Sequence, residues 1–178
     1  MLPKPYKYAE ARNVFTEMID ALCGDMFLKN LTAPAFTWWV SYDYKSMEAC
    51  PEYNGPVSVD FYGRIHPKHA NGTVRMKTRT NSVSMVTESL LLSFDRKTDH
   101  RLLFRKLGVC AADVAEDDGI YQMNFFVDYD ALEREKRIQR AMIEVRKRYG
   151  ASAIFKGNNL LEGATALERN QQIGGHKA

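Results

Sequence analysis

Most of what marks a secreted, membrane-bound or metal-dependent protein is missing from this chain. Its 178 residues hold three cysteines, Cys23, Cys50 and Cys110. They are odd in number, far apart and in no ligand-type spacing, which argues against a disulfide framework and for a reducing cytoplasm. No run approaches the roughly 18 apolar residues of a membrane span. The start, MLPKPYKYAEARN, has no apolar signal core, so no membrane partner is expected. A glycine-rich phosphate loop, a GxSxG turn and a CxxC pair are all missing. His66 and His69 in HPKH suggest a metal pair, but that loop brings neither cysteine nor carboxylate with it. The acidic EDDG cluster at 116–119 and Asp43 lack the spaced ligand series of a calcium loop. No catalytic residue, metal or cofactor is therefore assigned. Internal repeats and low-complexity tracts are absent too.

What is present is ordinary globular composition, 45% hydrophobic and 26% charged, enough for one well-filled core. The net charge of +3 is too small to name a partner; its placement says more. Residues 8–29 have helical spacing, with Val14, Phe15, Met18, Ile19, Leu22 and Met26 on one broad face. Residues 35–44, AFTWWVSYDY, are aromatic and β-branched and read as a strand. One of Trp38 and Trp39 must face away from the core or meet a covering element. In 55–64, Val57, Val59 and Phe61 alternate, and HPKHANG ends in Asn71-Gly72, a turn signal.

In TVRMKTRTNS, Val74, Met76 and Thr78 share one face, and Arg75, Lys77 and Arg79 the other. Residues 82–94 fit a helix with Val86, Leu90, Leu91 and Phe94 inward and Asn81 or Ser82 as N-cap. A strand over 102–114 turns Leu103, Leu107 and Val109 inward. Arg105 shares their parity, so it points outward only where that strand ends or bulges. AEDDG breaks the strand. Tyr129–Tyr149 is a charged helix with a thin stripe of Leu132, Ile138, Met142, Val145 and Tyr149, stopped by Gly150. The tail after it has little core-forming power. The order helix, strand, strand, helix, strand predicts an α+β domain of a split βαβ kind that lacks its usual first strand.

Alternating Arg75, Lys77 and Arg79 would stand about 6.5–7 Å apart along a strand, close to the phosphate spacing of one DNA strand. Thr73, Thr80, Asn81 and Ser82 add short donors, and Lys106, Arg105 and Lys68 extend the charge. A solvated polar sheet face is the plain alternative. Base-reading groups are scarce beside this row, so binding would follow shape and charge rather than sequence.

Four segments bring a family into view. VSYDYKS, GPVSVDFYGRIHPKHANGTVRMKTRTNS, FRKLGV and LLEGATALERNQQIGGHKA together, in this order, resemble the C-terminal part of Y-family translesion DNA polymerases. The resemblance is to the UmuC/ImpB/MucB/SamB type of Gram-positive bacteria, tied to DNA repair and the SOS response. It implies a little finger, a small α+β domain whose antiparallel sheet lies along primer–template duplex. The family's basic sheet positions fall here on Arg75, Lys77, Arg79, Arg105 and Lys106, beside Thr73. Its catalytic carboxylates lie upstream in the palm, so this chain is expected to be part of a DNA-directed DNA polymerase that does not polymerise alone.

The family's first strand is largely missing here. In a split sheet it is an inner strand, so either the sheet re-pairs or another segment or chain fills its place. Self-association through the incomplete sheet or the C-terminal helix is one way to do so.

QMNFF resembles the bacterial sliding-clamp-binding motif, with Gln122 as polar anchor and Met123, Phe125 and Phe126 as apolar groups. A fifth strand over the same residues is the alternative, and the two are compatible if the segment detaches. The expected organisation is a DNA-binding domain over 1–116, a clamp-motif linker over 117–130, and a charged helix and tail over 131–178. That helix packs on the domain, dimerises through its stripe, or meets DNA through Arg137, Arg140, Arg146 and Lys147, and a solvated helix is the expectation. A protein that competes for the clamp without binding DNA is the alternative function.

Overall fold

The computed structural model describes residues 1–119, 128–167, 172–173 and 176–177. Its centre is β1 (Leu31–Tyr42), a strand with β-branched and aromatic residues on both faces. β4 (Ala70–Thr80) and β5 (Phe104–Ala112) flank it, both antiparallel. A helix, α1 (Tyr8–Leu28), precedes β1, and α3 (Val83–Lys97) joins β4 to β5. Between β1 and β4 come a short α2 (Ser46–Ala49) and a hairpin of β2 (Val57–Val59) with β3 (Ile65–Pro67). The two-residue β6 (Ala115–Glu116) pairs with the start of β1. α4 (Tyr129–Tyr149), a 3-10 turn at Gly157–Leu160 and a minimal hairpin of β7 (Gln172–Ile173) with β8 (His176–Lys177) follow. The class is α+β with an antiparallel sheet, as expected.

α1 and α3 pack on one face of the sheet. Phe36, Trp38 and Val40 of β1 meet Phe15 and Ile19 of α1 and Val86, Leu90 and Phe94 of α3, all fully buried. Phe15 stacks on Phe94 with centroids 4.6 Å apart, and Trp38 lies 5.3 Å from Phe94. A buried indole N–H needs an acceptor, and Trp38 donates to Ser93 Oγ at 3.0 Å. Ser82 caps α3 by accepting from the Met85 amide at 3.3 Å, and Arg96 and Lys97 complement its C-terminal dipole.

Several expectations need correction. Asn71-Gly72 is no turn: both lie inside β4, opposite Trp39 and Trp38. A Cβ on Gly72 would come within 2.7 Å of Trp38 Nε1, so this glycine provides clearance for the indole. Val57, Val59 and Phe61 mark no core face, since all three are exposed. Leu102 and Phe104, not Leu103, go inward with Leu107. The cause is a bulge: Ser41 opposes Lys106 while Tyr42 opposes Phe104, leaving Arg105 as the extra residue. β5 ends before AEDDG, near Asp113 (φ 54°), and Ala115–Glu116 resumes pairing with Thr32 and Leu31.

The expected vacancy inside the sheet does not exist, because β1 pairs directly with β5. The N-terminal segment instead touches the outer edge of β5. The Leu2 amide donates to the Arg105 carbonyl at 3.1 Å, and Tyr6 and Phe104 exchange bonds of 2.9 and 2.8 Å. Beyond α4, the chain returns to α1. The Thr165 amide and hydroxyl donate to Glu17 Oε2 at 2.9 and 3.2 Å, and Lys156 pairs with Asp20.

Candidate nucleic-acid interface

Among the described residues, the sheet face turned away from α1 and α3 is open. β1, β4 and β5 carry five basic residues and no acidic one. Register places Thr37 between Thr73 and Cys110, Trp39 between Asn71 and Gly108, and Ser41 opposite Lys106. The Thr37 and Thr73 hydroxyls are 3.1 Å apart.

The five cations are not equivalent. Arg75, Lys77 and Lys106 are exposed on this face. Arg75 and Lys106 have no hydrogen-bond or ion-pair partner among the described residues. The Arg79 guanidinium folds back, donating to the Thr32 carbonyl at 3.3 Å and to the Asp113 carbonyl. That bridges the start of β1 to the end of β5. Arg105, the bulged residue, donates to the Leu2 carbonyl at 2.9 Å and lies 3.6 Å from the buried Asp43 carboxylate.

The row is also less regular than alternation implies. The β1–β4 register jumps from Ala35↔Arg75 to Ala33↔Thr80, so residues 76–79 have no partner in that ladder. Pro34 sits at the jump, and a proline has no amide to offer a ladder. Alternating exposure nevertheless survives, with Arg75, Lys77 and Arg79 out and Val74, Met76 and Thr78 half-buried.

The β2–β3 hairpin walls one end of the face and encloses a recess of about 840 Å³ that includes Arg64, His66, His69 and Lys106. The two imidazoles lie 5.4 Å apart. Burial, then the neighbouring His66 and Lys106, hold the His69 proton affinity below its ordinary value. Among the described residues no three His, Cys, Asp or Glu side chains converge as for a metal. At the hairpin tip Phe61 and Tyr62 are exposed, and the Arg64 guanidinium covers Tyr44 and Tyr62 at 4.8 and 5.1 Å while pairing with Asp60 at 2.7 Å.

Trp39 belongs to this face, and sequence reasoning did not assign it there. The signal was available, since Trp39 shares strand parity with Thr37 and Ser41. Gln122, Met123, Phe125 and Phe126 lie outside the described residues, as does the alternative fifth strand. On α4, Arg137, Arg140 and Lys147 are exposed, while Arg146 donates to the Ile154 carbonyl at 3.3 Å. No helix among the described residues is long and apolar enough to cross a membrane.

No family model matches the chain. Over 110 residues it is 32% identical to DNA polymerase IV 2 of Bacillus subtilis (strain 168), covering 62% of this chain and 26% of that protein. The chain is a distant relative of a Y-family DNA polymerase. It spans about a quarter of the length of that relative.

Proposed function

We propose that this chain is the non-catalytic DNA-binding and clamp-tethering part of a translesion polymerase, a little-finger-like domain holding primer–template duplex by its phosphates. The observation that carries this reading is the open sheet face, with five basic residues and no acidic one on its three strands. Similarity to a DNA polymerase supports it. Lys and Arg on a flat face neutralise phosphates and release counterions without reading bases. Arg75, Lys77, Lys106 and the Thr73 hydroxyl make the first contacts. Arg79 and Arg105 brace the face and join it only if their internal bonds open.

Salt dependence tests this. Three phosphate contacts give a slope of log K against log[salt] near −2.7, and five give about −4.5. Replacing Arg75, Lys77 and Lys106 together by Ala should weaken duplex binding and flatten the slope. Unchanged affinity and slope in that variant overturn the reading. The stretch with Gln122, Met123, Phe125 and Phe126 supplies the second hold, on the bacterial sliding clamp. Two weak contacts then act together to keep the polymerase at the primer end. Clamp binding with no affinity for duplex at low salt would favour a regulatory protein that only competes for the clamp. Primer extension by the purified chain, above a no-protein control, would defeat the non-catalytic part of the proposal.

A further inference from the structure

We propose that the open sheet face takes one unpaired nucleotide base, stacked on Trp39, in addition to duplex phosphates. This rests on the nucleic-acid reading above and deepens it to a preference for single-stranded DNA or a single-strand/duplex junction.

The chain has two tryptophans, adjacent in β1, with opposite fates. Trp38 is fully buried, and Trp39 is 44% exposed at the middle of the open face. Leaving so large an apolar ring in water forfeits the stabilisation its burial would bring. Its resting place is Gly108 of β5, directly opposite. A Cβ on Gly108 would meet the Trp39 Nε1, Cε2 and Cζ2 atoms at 2.2, 2.4 and 2.7 Å. Any side chain at 108 would therefore push the indole off the sheet. With glycine there, one side of the ring rests on strand backbone and the other is available to a ligand. A mid-strand glycine weakens a sheet, and here its position is explained by the close approach of the ring.

The surroundings select the ligand. Thr37 and Ser41 flank Trp39 along β1, and Asn71 stands opposite on β4. Lys106 is a diagonal neighbour across β5, about 7–8 Å away by strand geometry. Arg75 lies four residues beyond Asn71, about 13 Å along β4. A protein partner would want apolar neighbours around such an anchor, since interface cores are poor in charge. An aromatic ring ringed by hydroxyls, an amide and cations suits a nucleotide instead. The base stacks on the indole, its edge meets the Asn71 amide, and the flanking phosphates reach Lys106 and Arg75. Bases inside a duplex are already stacked on both faces, so away from a duplex end it is an unpaired base that offers this ring a face.

The test titrates the whole chain with oligo-dT and with a blunt duplex of the same number of phosphates, following tryptophan emission and anisotropy of labelled DNA. Trp38, bonded to Ser93, remains a reporter of the fold in every Trp39 variant. Single strands should quench the emission of the native chain. Trp39→Ala should weaken single-strand binding about tenfold while leaving duplex affinity and its salt slope unchanged. Trp39→Phe should keep most of the single-strand affinity but lose the quench. Duplex binding with no quench by single strands, or with equal single-strand affinity in the native and Trp39→Ala chains, overturns the stacking site and leaves the duplex reading standing. Failure of both DNA forms to bind at low salt overturns that reading, and the stacking site with it. Were Trp39→Ala not to fold, absence of the quench in the native chain would be decisive against the proposal.

Discussion

Replacing Glu135 by Ala should loosen the docking of α4 on the domain. This helix has 21 residues and none of them is buried. A space of about 780 Å³ lies between it and the pair α1 and α3, with Val83, Ile138, Met142 and Ile143 among its lining residues. Apolar packing therefore holds α4 weakly, and the polar tie matters. The Glu135 carboxylate accepts from the Ser82 hydroxyl at 2.9 Å, the Ser84 amide at 3.1 Å and the Ser84 hydroxyl at 2.5 Å. It sits at the N-terminus of α3, where unpaired amides and the helix dipole favour a negative charge. Hydrogen bonds to charged groups contribute about 1.5–3 kcal/mol each when buried. This cluster is partly exposed, so about 2 kcal/mol in total is a fair expectation for Glu135→Ala. At 1.4 kcal/mol per factor of ten, that multiplies the undocked population about 30-fold.

Hydrogen exchange reads this directly, because the Ser84 amide is one of the bonded groups. Its exchange should accelerate by a similar factor, and Glu135→Gln, which keeps the reach without the charge, should fall between. The core strands should keep their protection, and the melting temperature should move little. Unchanged exchange at Ser84 and along α4 in Glu135→Ala would refute the view that this carboxylate holds the helix in place.

Gly72→Ala should cost about 1–3 kcal/mol in urea unfolding, because its Cβ would meet the buried Trp38 indole and the half-buried Ser93 hydroxyl. Gly108→Ala meets the exposed Trp39 instead, so it should shift indole emission with little loss of stability. Phe94→Ala removes a fully buried ring that stacks on Phe15, and chemical denaturation should show a loss of about 3–5 kcal/mol. Burial pushes the Tyr42 phenol up to about 12, and burial with the Asp95 hydrogen bond does the same for Tyr8. Both phenolates are disfavoured in the fold, so that stability is intact below pH 10 and lost as pH rises to 12. Phenolate absorbance should show a late-titrating class that shrinks in Tyr42→Phe. Phe125→Ala combined with Phe126→Ala should abolish clamp binding in calorimetry without lowering the melting temperature. A destabilised double variant whose parent peptide ignores the clamp would return those rings to the core.

Periodicity carried the elements that depend on near neighbours. α1, α3 and α4 follow from apolar spacing and from Ser82 and Gly150 at their ends, because caps and helical faces are set by residues three or four apart. The outward side of Arg75, Lys77 and Arg79 follows from the two-residue repeat of a strand, and this repeat survives even where the β1–β4 register breaks at Pro34. Other features depend on what lies across the sheet. Asn71-Gly72 has the composition of a turn, yet the Trp38 indole from the next strand claims the space over Gly72. The bulge that leaves Arg105 beside Asp43 and the Leu2 carbonyl, and the fold-back of Arg79 onto Thr32 and Asp113, join residues up to 103 positions apart. A local pattern encodes which way a side chain starts out from its strand. Which partner it meets is decided only when distant strands come into register, and that is why Arg79 and Arg105, two of five similar cations, become braces.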